Sequence, residues 1–282
     1  MRFDYRHPRR ELRPGTLPLI AGFLCLLPAT LGALAALVGA LPADPSSFVA
    51  PANAPPSWHH WLGADVLGRD VLSRLAAATA LFLGPGVLAG LVAVGVGVAL
   101  GLVRSLGGPL PRALASWALQ VLDGVPKLVL VLLIAAITRS HLGWIMATVG
   151  LTFVPPIAEV VGTSVERLRS SAFIEAERSL GVGMGRIVFV HILWGHARRV
   201  LLAQLTGLFA YAVLVESSLS YLGGELGVQE PTPSWGNMLA LAREGFFHGH
   251  PLQALAPALL IAVTLLGFSF LAAGVVQGFD ER

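Results

Sequence analysis

Residues 170–196, SSAFIEAERSLGVGMGRIVFVHILWGH, form a charged segment inside an otherwise apolar chain. The segment contains Glu175, Glu177, Arg178 and Arg186, whereas long, nearly uncharged windows lie on both sides of it. Placing such side chains at the centre of a bilayer costs roughly 2.5–3.5 kcal/mol for each charge. The segment is therefore expected to lie outside a membrane and to connect two membrane spans.

The composition of the whole chain indicates a multi-pass membrane protein. Of its 282 residues, 55% are hydrophobic and only 12% are charged, whereas a soluble domain carries about 25% charged residues. This balance excludes a soluble protein. The single cysteine, Cys25, lies in an apolar run, which excludes a disulfide framework and a cysteine-rich metal site.

The hydropathy pattern predicts an all-α fold with six transmembrane helices. About 20 apolar residues are needed to cross the hydrocarbon core. The first window is too long for a cleavable signal peptide and is expected to remain as a span. The six windows are residues 17–41, 80–103, 113–137, 142–165, 200–223 and 253–277.

The distribution of arginine between the loops predicts the orientation. With the N-terminus inside, fourteen arginines lie on the cytoplasmic side and four on the outer side. This asymmetry places both termini in the cytoplasm, and it explains the basic pI without nucleic-acid binding. The predicted organisation is a tail of residues 1–16 and one permease domain of residues 17–282, with extracytoplasmic segments 42–79 and 224–252 and a cytoplasmic loop 166–199.

The quoted segment is predicted to form a helix-turn-helix elbow. Small or apolar residues recur at helical spacing from Val165 to Leu180, and Gly181 follows where a left-handed helix cap is expected. A second short helix is predicted over residues 186–193. Two interpretations remain open, a helix lying on anionic lipid and a docking surface for a cytoplasmic partner.

The elbow resembles the EAA coupling loop of ABC-importer permeases, which fits a cleft on the ATPase subunit. Glu175, Ala176 and Gly181 stand at the matching spacing, and HILW at 191–194 occupies the end of the motif. Glu177, Trp194 and Gly195 depart from it. The resemblance assigns ATPase coupling to Glu175, Ala176, Leu180, Gly181, His191 and Leu193.

Three further stretches are similar to the second permease subunit of dipeptide, oligopeptide and nickel importers, the DppC/OppC type. They are HWLGADVLGRDVLSRL (60–75), ESSLSYLG (216–223) and PTPSWGNML (231–239). In the first, residues 65–74 are predicted to form a short helix with Arg69 and Asp70 available for pairing. The family residues of this block are Asp65, Gly68, Arg69, Asp70, Ser73 and Arg74.

The resemblance implies a non-catalytic transport subunit with type I importer architecture in the bacterial inner membrane. It implies three kinds of partner besides the lipid bilayer: a homologous second permease, two cytoplasmic ATPases and an extracytoplasmic substrate-binding protein. ATP and Mg²⁺ would be bound by the ATPases, and no cofactor by this chain. The departures mark a divergent member, so the substrate is not assumed to be a dipeptide.

Four ionisable side chains in the spans are candidates for a pore. Asp123 and Lys127 are four residues apart, so on one helix they share a face and can neutralise each other. The other interpretation is that Lys127, the sole lysine, lines the pathway and meets an anionic group of the solute. Glu159, where the family often has arginine, and Glu216 complete the set.

Other polar and small-residue patterns support alternatives or packing. WHHW (58–61) and HGH (248–250) suggest a metal site, although flanking tryptophans fit an interfacial aromatic belt better. A secondary transporter predicts paired interrupted helices, of which the sequence offers only Pro155 and Pro156; an intramembrane enzyme predicts paired catalytic groups, which no motif supplies. A stripe of small residues predicts close helix packing; it consists of Gly86, Gly90, Ala93, Gly97 and Gly101.

Overall fold

The computed structural model describes residues 15–139, 141–169, 179–223 and 226–278, and helices dominate them. In chain order the helices are α1 (Thr16–Leu37), α2 (Val71–Leu106), α3 (Pro109–Gly124), α4 (Lys127–Ile137), α5 (Leu142–Thr152), α6 (Val154–Arg169), the single turn α7 (Met184–Arg186), the π-helix π1 (Ile187–Ala197), α8 (Arg198–Leu222), α9 (Trp235–Phe247) and α10 (Leu252–Gln277).

The described residues contain five helices that are long and apolar enough to span a membrane. A sixth span is obtained if α3 and α4 are taken together, although these two helices meet at an angle of 85°. Helices α5 and α6 form one span of 26 residues, Leu142–Arg167. The predicted all-α membrane fold is therefore confirmed.

The bend between α3 and α4 is caused by Pro126. The proline ring disfavours helical geometry at the preceding residue, and Val125 is extended with φ −92° and ψ 127°. Pro126 also has no N–H to continue the hydrogen-bond ladder. The predicted third span is consequently two helices in different directions. A smaller break at Phe153 precedes Pro155 and Pro156, which have no N–H groups to continue the hydrogen-bond ladder.

The core of the bundle forms around α2, where small residues allow close approach of other helices. A Cβ on Gly97 would lie 2.6 Å from Ile157 Cγ2, and a Cβ on Gly101 would lie 2.8 Å from the carbonyl oxygen of Ala158. Phe209 of α8 lies against Gly86. The small-residue stripe of α2 thus packs on α6 with one half and on α8 with the other, which confirms its predicted role.

One end of the bundle is covered by residues 38–70 and 226–251, here called the cap. Its first part is tied to α10, since the Gln253 amide at the start of that helix donates to Asn53 Oδ1 at 3.0 Å and to the Ala64 carbonyl at 2.7 Å. The Trp235 indole donates to the Leu75 carbonyl at 3.2 Å. The cap therefore joins the start of α2 to α9 and α10.

The predicted short helix over residues 65–74 is wrong in its first half. Asp65 Oδ1 accepts hydrogen bonds from the backbone N–H groups of Leu67 and Arg69, both at 2.9 Å, which holds a turn instead. Gly68 has φ +84°, and the carbonyl oxygen of Ala50 occupies the space that a Cβ would need. Regular helix begins only at Val71, after the N-cap Asp70.

Candidate coupling and translocation sites

The described part of the predicted elbow, residues 179–197, is here called the coupling segment. Gly181 has φ +79°, a conformation that glycine adopts at little cost because it lacks Cβ, and this confirms the predicted left-handed turn. The second helix is longer than the predicted residues 186–193. It runs from Met184 through π1 and continues directly into α8. The coupling segment is therefore joined to a membrane span without an intervening loop.

One side of the coupling segment is anchored to the bundle by apolar contacts. Ile187, Val188 and Ile192 are buried in a cluster with Val161 and Val165 of α6. Each such side chain contributes roughly 1.5–3 kcal/mol when fully buried. The coupling segment is thus attached to α6 as well as to α8.

The opposite side of the coupling segment presents large apolar side chains that nothing in the described chain covers. Leu180 is 83% exposed, and Phe189 and Trp194 are also largely exposed. An apolar group of this size at the end of a helix bundle is typical of a protein or membrane interaction site. Both interpretations of the elbow, a lipid-surface helix and a docking surface, are compatible with it.

The predicted coupling residues divide between these sides. Leu180 and Gly181 lie on the exposed side. Leu193 packs toward the cluster on α6, and His191 is half-buried. Glu175 and Ala176 lie outside the described residues.

A polar cavity of about 520 Å³ opens on the flank of the bundle between α2, α3, α4 and α6. Three of the four predicted pore residues, Asp123, Lys127 and Glu159, line it together and are exposed. Its remaining lining residues are Arg104, Ser116, Leu119, Gln120, Pro155 and Pro156.

The charges of the cavity are paired differently from the sequence prediction. Asp123 and Lys127 do not form an ion pair within 4.0 Å, because the bend at Pro126 places them on two different helices. The predicted shared helix face is therefore wrong. Glu159 instead accepts a hydrogen bond from Arg104 Nη1 at 2.8 Å.

The ammonium group of Lys127 lies against aromatic rings. Its Nζ is 4.4 Å from the ring centroid of Phe153 and 6.0 Å from that of Tyr211. Cation–π attraction of this kind contributes about 0.5–2 kcal/mol. These rings, rather than Asp123, hold the lysine side chain in place.

Glu216, the fourth predicted pore residue, lies apart from the polar cavity. It is buried in α8, where Ser220 donates to its carboxylate at 2.8 Å. It lines a separate apolar cavity of about 310 Å³ between α1, α2, α8, α9 and α10, together with Trp235 and Phe268. The structure thus associates Glu216 with helix packing beneath the cap.

The family residues of the first sequence block form a buried charged cluster in the cap. Arg69 Nε donates to Asp65 Oδ2 at 2.8 Å, and Arg74 Nη2 donates to Glu230 Oε1 at 2.7 Å. Arg69 Nη1 also donates to Glu230, so this one carboxylate joins both arginines. Burial disfavours the charged form of Arg69, but hydrogen bonds to Glu230 and Asp65 outweigh this effect and raise the pKa of its guanidinium.

Asp70 and Ser73 order the start of α2. Asp70 Oδ2 accepts hydrogen bonds from the backbone N–H and the hydroxyl of Ser73, both at 2.7 Å, as an N-cap does. Asp70 Oδ1 lies 2.9 Å from His60 Nδ1. His60 is thereby engaged in the cap, and within the part of the chain that the structure describes no three His, Cys, Asp or Glu side chains gather at a metal-binding distance.

Sequence reasoning missed Glu230 and the Arg104–Glu159 pair. Glu230 lies more than 150 positions from its two arginine partners, and no local pattern indicates such a contact. The bend, in contrast, has a local signal, since Gly124 and Pro126 flank the position where the helix stops.

The family of the chain follows from comparison with known proteins. The family model described as "Binding-protein-dependent transport system inner membrane component" matches residues 92–282, which include the polar cavity and the coupling segment. The chain belongs to this family. It is a permease subunit of an ABC importer, a transport subunit rather than a catalytic one.

Individual relatives of the permease are transport proteins of the same kind. A protein of Brucella ovis named as a peptide permease is 31% identical over 92% of this chain and 85% of its own length. The glutathione transport system permease GsiD of Pectobacterium atrosepticum is 32% identical, over 82% of this chain and 75% of the relative. The dipeptide transport system permease DppC of Bacillus subtilis is 30% identical, over 82% of this chain and 71% of the relative. The resemblance to DppC-type permeases is confirmed.

Proposed function

We propose that this permease subunit forms one half of a translocation pore for a peptide-like solute, and that the polar cavity is its share of the pore wall. A homologous permease subunit supplies the other half. The names of the relatives, which refer to peptide, dipeptide and glutathione transport, support this class of solute.

The observation that carries the proposal is the exposure of several polar side chains on one flank of an apolar bundle. Gln120, Asp123, Lys127 and Glu159 are all exposed there. Contact with hydrocarbon would cost roughly 2.5–3.5 kcal/mol for each charge at the bilayer centre. Such side chains in a membrane protein face a water-filled pathway or a protein partner, and a pore between two subunits provides both.

The remaining partners follow from the family. We propose that two ATPase subunits, which bind ATP and Mg²⁺, dock on the exposed apolar side of the coupling segment. A substrate-binding protein delivers solute to the cap. This arrangement puts the coupling segment and both termini in the cytoplasm and the cap outside a bacterial inner membrane, in agreement with the arginine distribution.

The packing supports a direct path from the ATPase to the pore. The coupling segment is buried against Val161 and Val165 of α6, and the same helix contributes Pro155, Pro156 and Glu159 to the polar cavity. A rigid-body displacement of the coupling segment would move α6 and α8 together. Pore opening is thereby biased by nucleotide bound on another subunit, as in other two-state domain motions.

Cysteine labelling of the assembled importer tests the pore assignment. Gln120→Cys, in a Cys25→Ser background, is expected to react with a membrane-impermeant thiol reagent at a rate that changes when ATP is added. Leu266→Cys, an exposed position on α10 outside the cavity, serves as the matched control and should stay unreactive. Equal rates at the two positions would exclude a water-filled pathway at the polar cavity.

Labelling from one side of the membrane tests the orientation. Ser46→Cys and Ser57→Cys lie at exposed positions of the cap and should label in intact cells. Gly185→Cys, an exposed position of the coupling segment with open space around its Cβ, should label only after the membrane is permeabilised. The opposite pattern would reverse the proposed topology.

A further inference from the structure

We infer that the polar cavity is a selectivity site for zwitterionic solutes, in which Lys127 binds the carboxylate of the solute and Asp123 binds its ammonium group. This inference rests on the proposed function, since it requires that solute passes through the cavity. It assigns a recognition role within the membrane to two residues of the permease itself.

The first observation is the charge balance of the cavity. Its lining contains four charged side chains, of which Arg104 and Glu159 are joined by a 2.8 Å contact. Among the described residues, neither Asp123 nor Lys127 has an ion pair or a side-chain hydrogen bond with a protein group. One negative and one positive group thus remain available to a solute.

The second observation is where the bend at Pro126 places these two groups. Asp123 lies in the last turn of α3 and Lys127 is the first residue of α4. The C-terminus of a helix carries partial negative charge and the N-terminus partial positive charge. Each side chain therefore lies at a helix end whose partial charge has the same sign as its own charge. This repulsion is unfavourable when no solute is bound. A solute with an ammonium group near Asp123 and a carboxylate near Lys127 relieves both unfavourable interactions.

The third observation is the fixed position of the lysine. Its Nζ lies 4.4 Å from the centroid of Phe153, at the junction of α5 and α6. The ring removes part of the solvent from one side of the ammonium group and leaves its other donors for an anion. An ammonium that is already ordered loses less conformational entropy when it binds a carboxylate.

The volume of the cavity is suited to a small solute such as a short peptide. A volume of about 520 Å³ lies within the 300–1,000 Å³ range typical of small-molecule sites. A short peptide with free termini carries the two required charges. The same peptide amidated at its C-terminus lacks the partner for Lys127, and one acetylated at its N-terminus lacks the partner for Asp123.

Transport assays with blocked peptides test the inference. The full importer, in proteoliposomes with one fixed substrate-binding protein, is supplied with a free dipeptide, its C-terminal amide or its N-acetyl form. Lys127→Gln should lower transport of the free dipeptide roughly tenfold, the effect of losing one charged hydrogen bond, and should leave the amide unaffected. Asp123→Asn should reduce the advantage of the free dipeptide over its N-acetyl form in the same way.

Two control variants separate charge from shape. Lys127→Arg keeps the positive charge and should retain the preference for a free carboxylate. Gln120→Ala removes an uncharged side chain of the same cavity and should leave both preferences unchanged. Because the binding protein is the same throughout, its own selectivity cancels from every comparison between variants.

The outcomes distinguish this inference from the proposed function. If both charge-removing variants keep the wild-type preferences, the selectivity site is wrong and the pore assignment stands. If the wild-type importer transports no dipeptide, the proposed solute class is wrong. A measurement that does not depend on charge variants is labelling of Gln120→Cys: free dipeptide should slow it, whereas a dipeptide blocked at both termini should not, and equal protection by both would contradict the inference.

Discussion

The cap and the coupling segment lie at opposite ends of the same bundle. They differ in whether their side chains find partners within the chain. In the cap, Arg69, Arg74 and Glu230 are joined to one another within the chain, and both arginines are buried. In the coupling segment, Leu180 and Trp194 are left exposed. The polar groups of the cap are thus paired within the chain, whereas the coupling segment leaves large apolar side chains uncovered by the described residues.

The largest expected effect comes from breaking the cap. Arg74→Ala removes one of the two arginine partners of Glu230 and leaves a cavity in place of a fully buried side chain, which costs roughly 2–5 kcal/mol. The variant should show a strongly reduced melting temperature and reduced abundance in the membrane. Arg243→Ala, at an exposed arginine of the same cap, is the control and should shift stability by less than about 0.5 kcal/mol. Similar melting temperatures for the two variants would show that the cap is not held by its charges.

A smaller loss of stability, with a larger loss of function, is expected at the turn of the coupling segment. Gly181→Val forces a β-branched residue to adopt φ +79°, at a cost of roughly 1–2 kcal/mol. The protein should insert and accumulate normally, while substrate-stimulated ATP hydrolysis falls. Gly185→Ala, where φ is negative and the space is open, provides the control. Normal substrate-stimulated ATP hydrolysis in Gly181→Val would show that the turn plays no part in coupling.

The smallest effect is expected at the exposed ion pair of the polar cavity. Arg104→Gln removes its contact with Glu159, but both side chains are partly solvated, so the loss should be about 0–1 kcal/mol. A melting curve close to that of the wild type would show that burial, rather than charge itself, makes the cap rigid. A loss as large as that of Arg74→Ala would contradict this distinction.

Predictions from sequence were most accurate where the signal is local. The left-handed turn at Gly181 and the small-residue stripe of α2 depend on backbone geometry that one residue type determines, and both are confirmed. The span boundaries follow from hydropathy, apart from two spans. Helix α2 begins at Val71, several residues before its apolar window, and the third window is divided into α3 and α4.

The errors arose where a local hydrogen bond or a proline outweighed a periodic pattern. Asp65 hydrogen-bonds its own turn and Asp70 caps the following helix, so an apparent helix over residues 65–74 starts late. The proline after Val125 breaks the periodicity on which the Asp123–Lys127 pairing depended. Contacts such as Glu230 with Arg69 require the tertiary fold, because parts of the chain distant in sequence come together only when the bundle forms.

The most direct test of coupling through the exposed segment is chemical cross-linking of the permease to its ATPase. Leu180→Cys, in a Cys25→Ser background, is treated in the assembled importer with a short heterobifunctional reagent that reacts with the thiol at one end, and Ser46→Cys in the cap is treated in parallel. The second arm of the reagent is photoactivatable, so it needs no cysteine on the partner. We expect a covalent adduct with the ATPase at position 180 and none at position 46. An adduct at position 46, or none at position 180 in a complex that hydrolyses ATP in response to substrate, would contradict the assignment of the coupling segment.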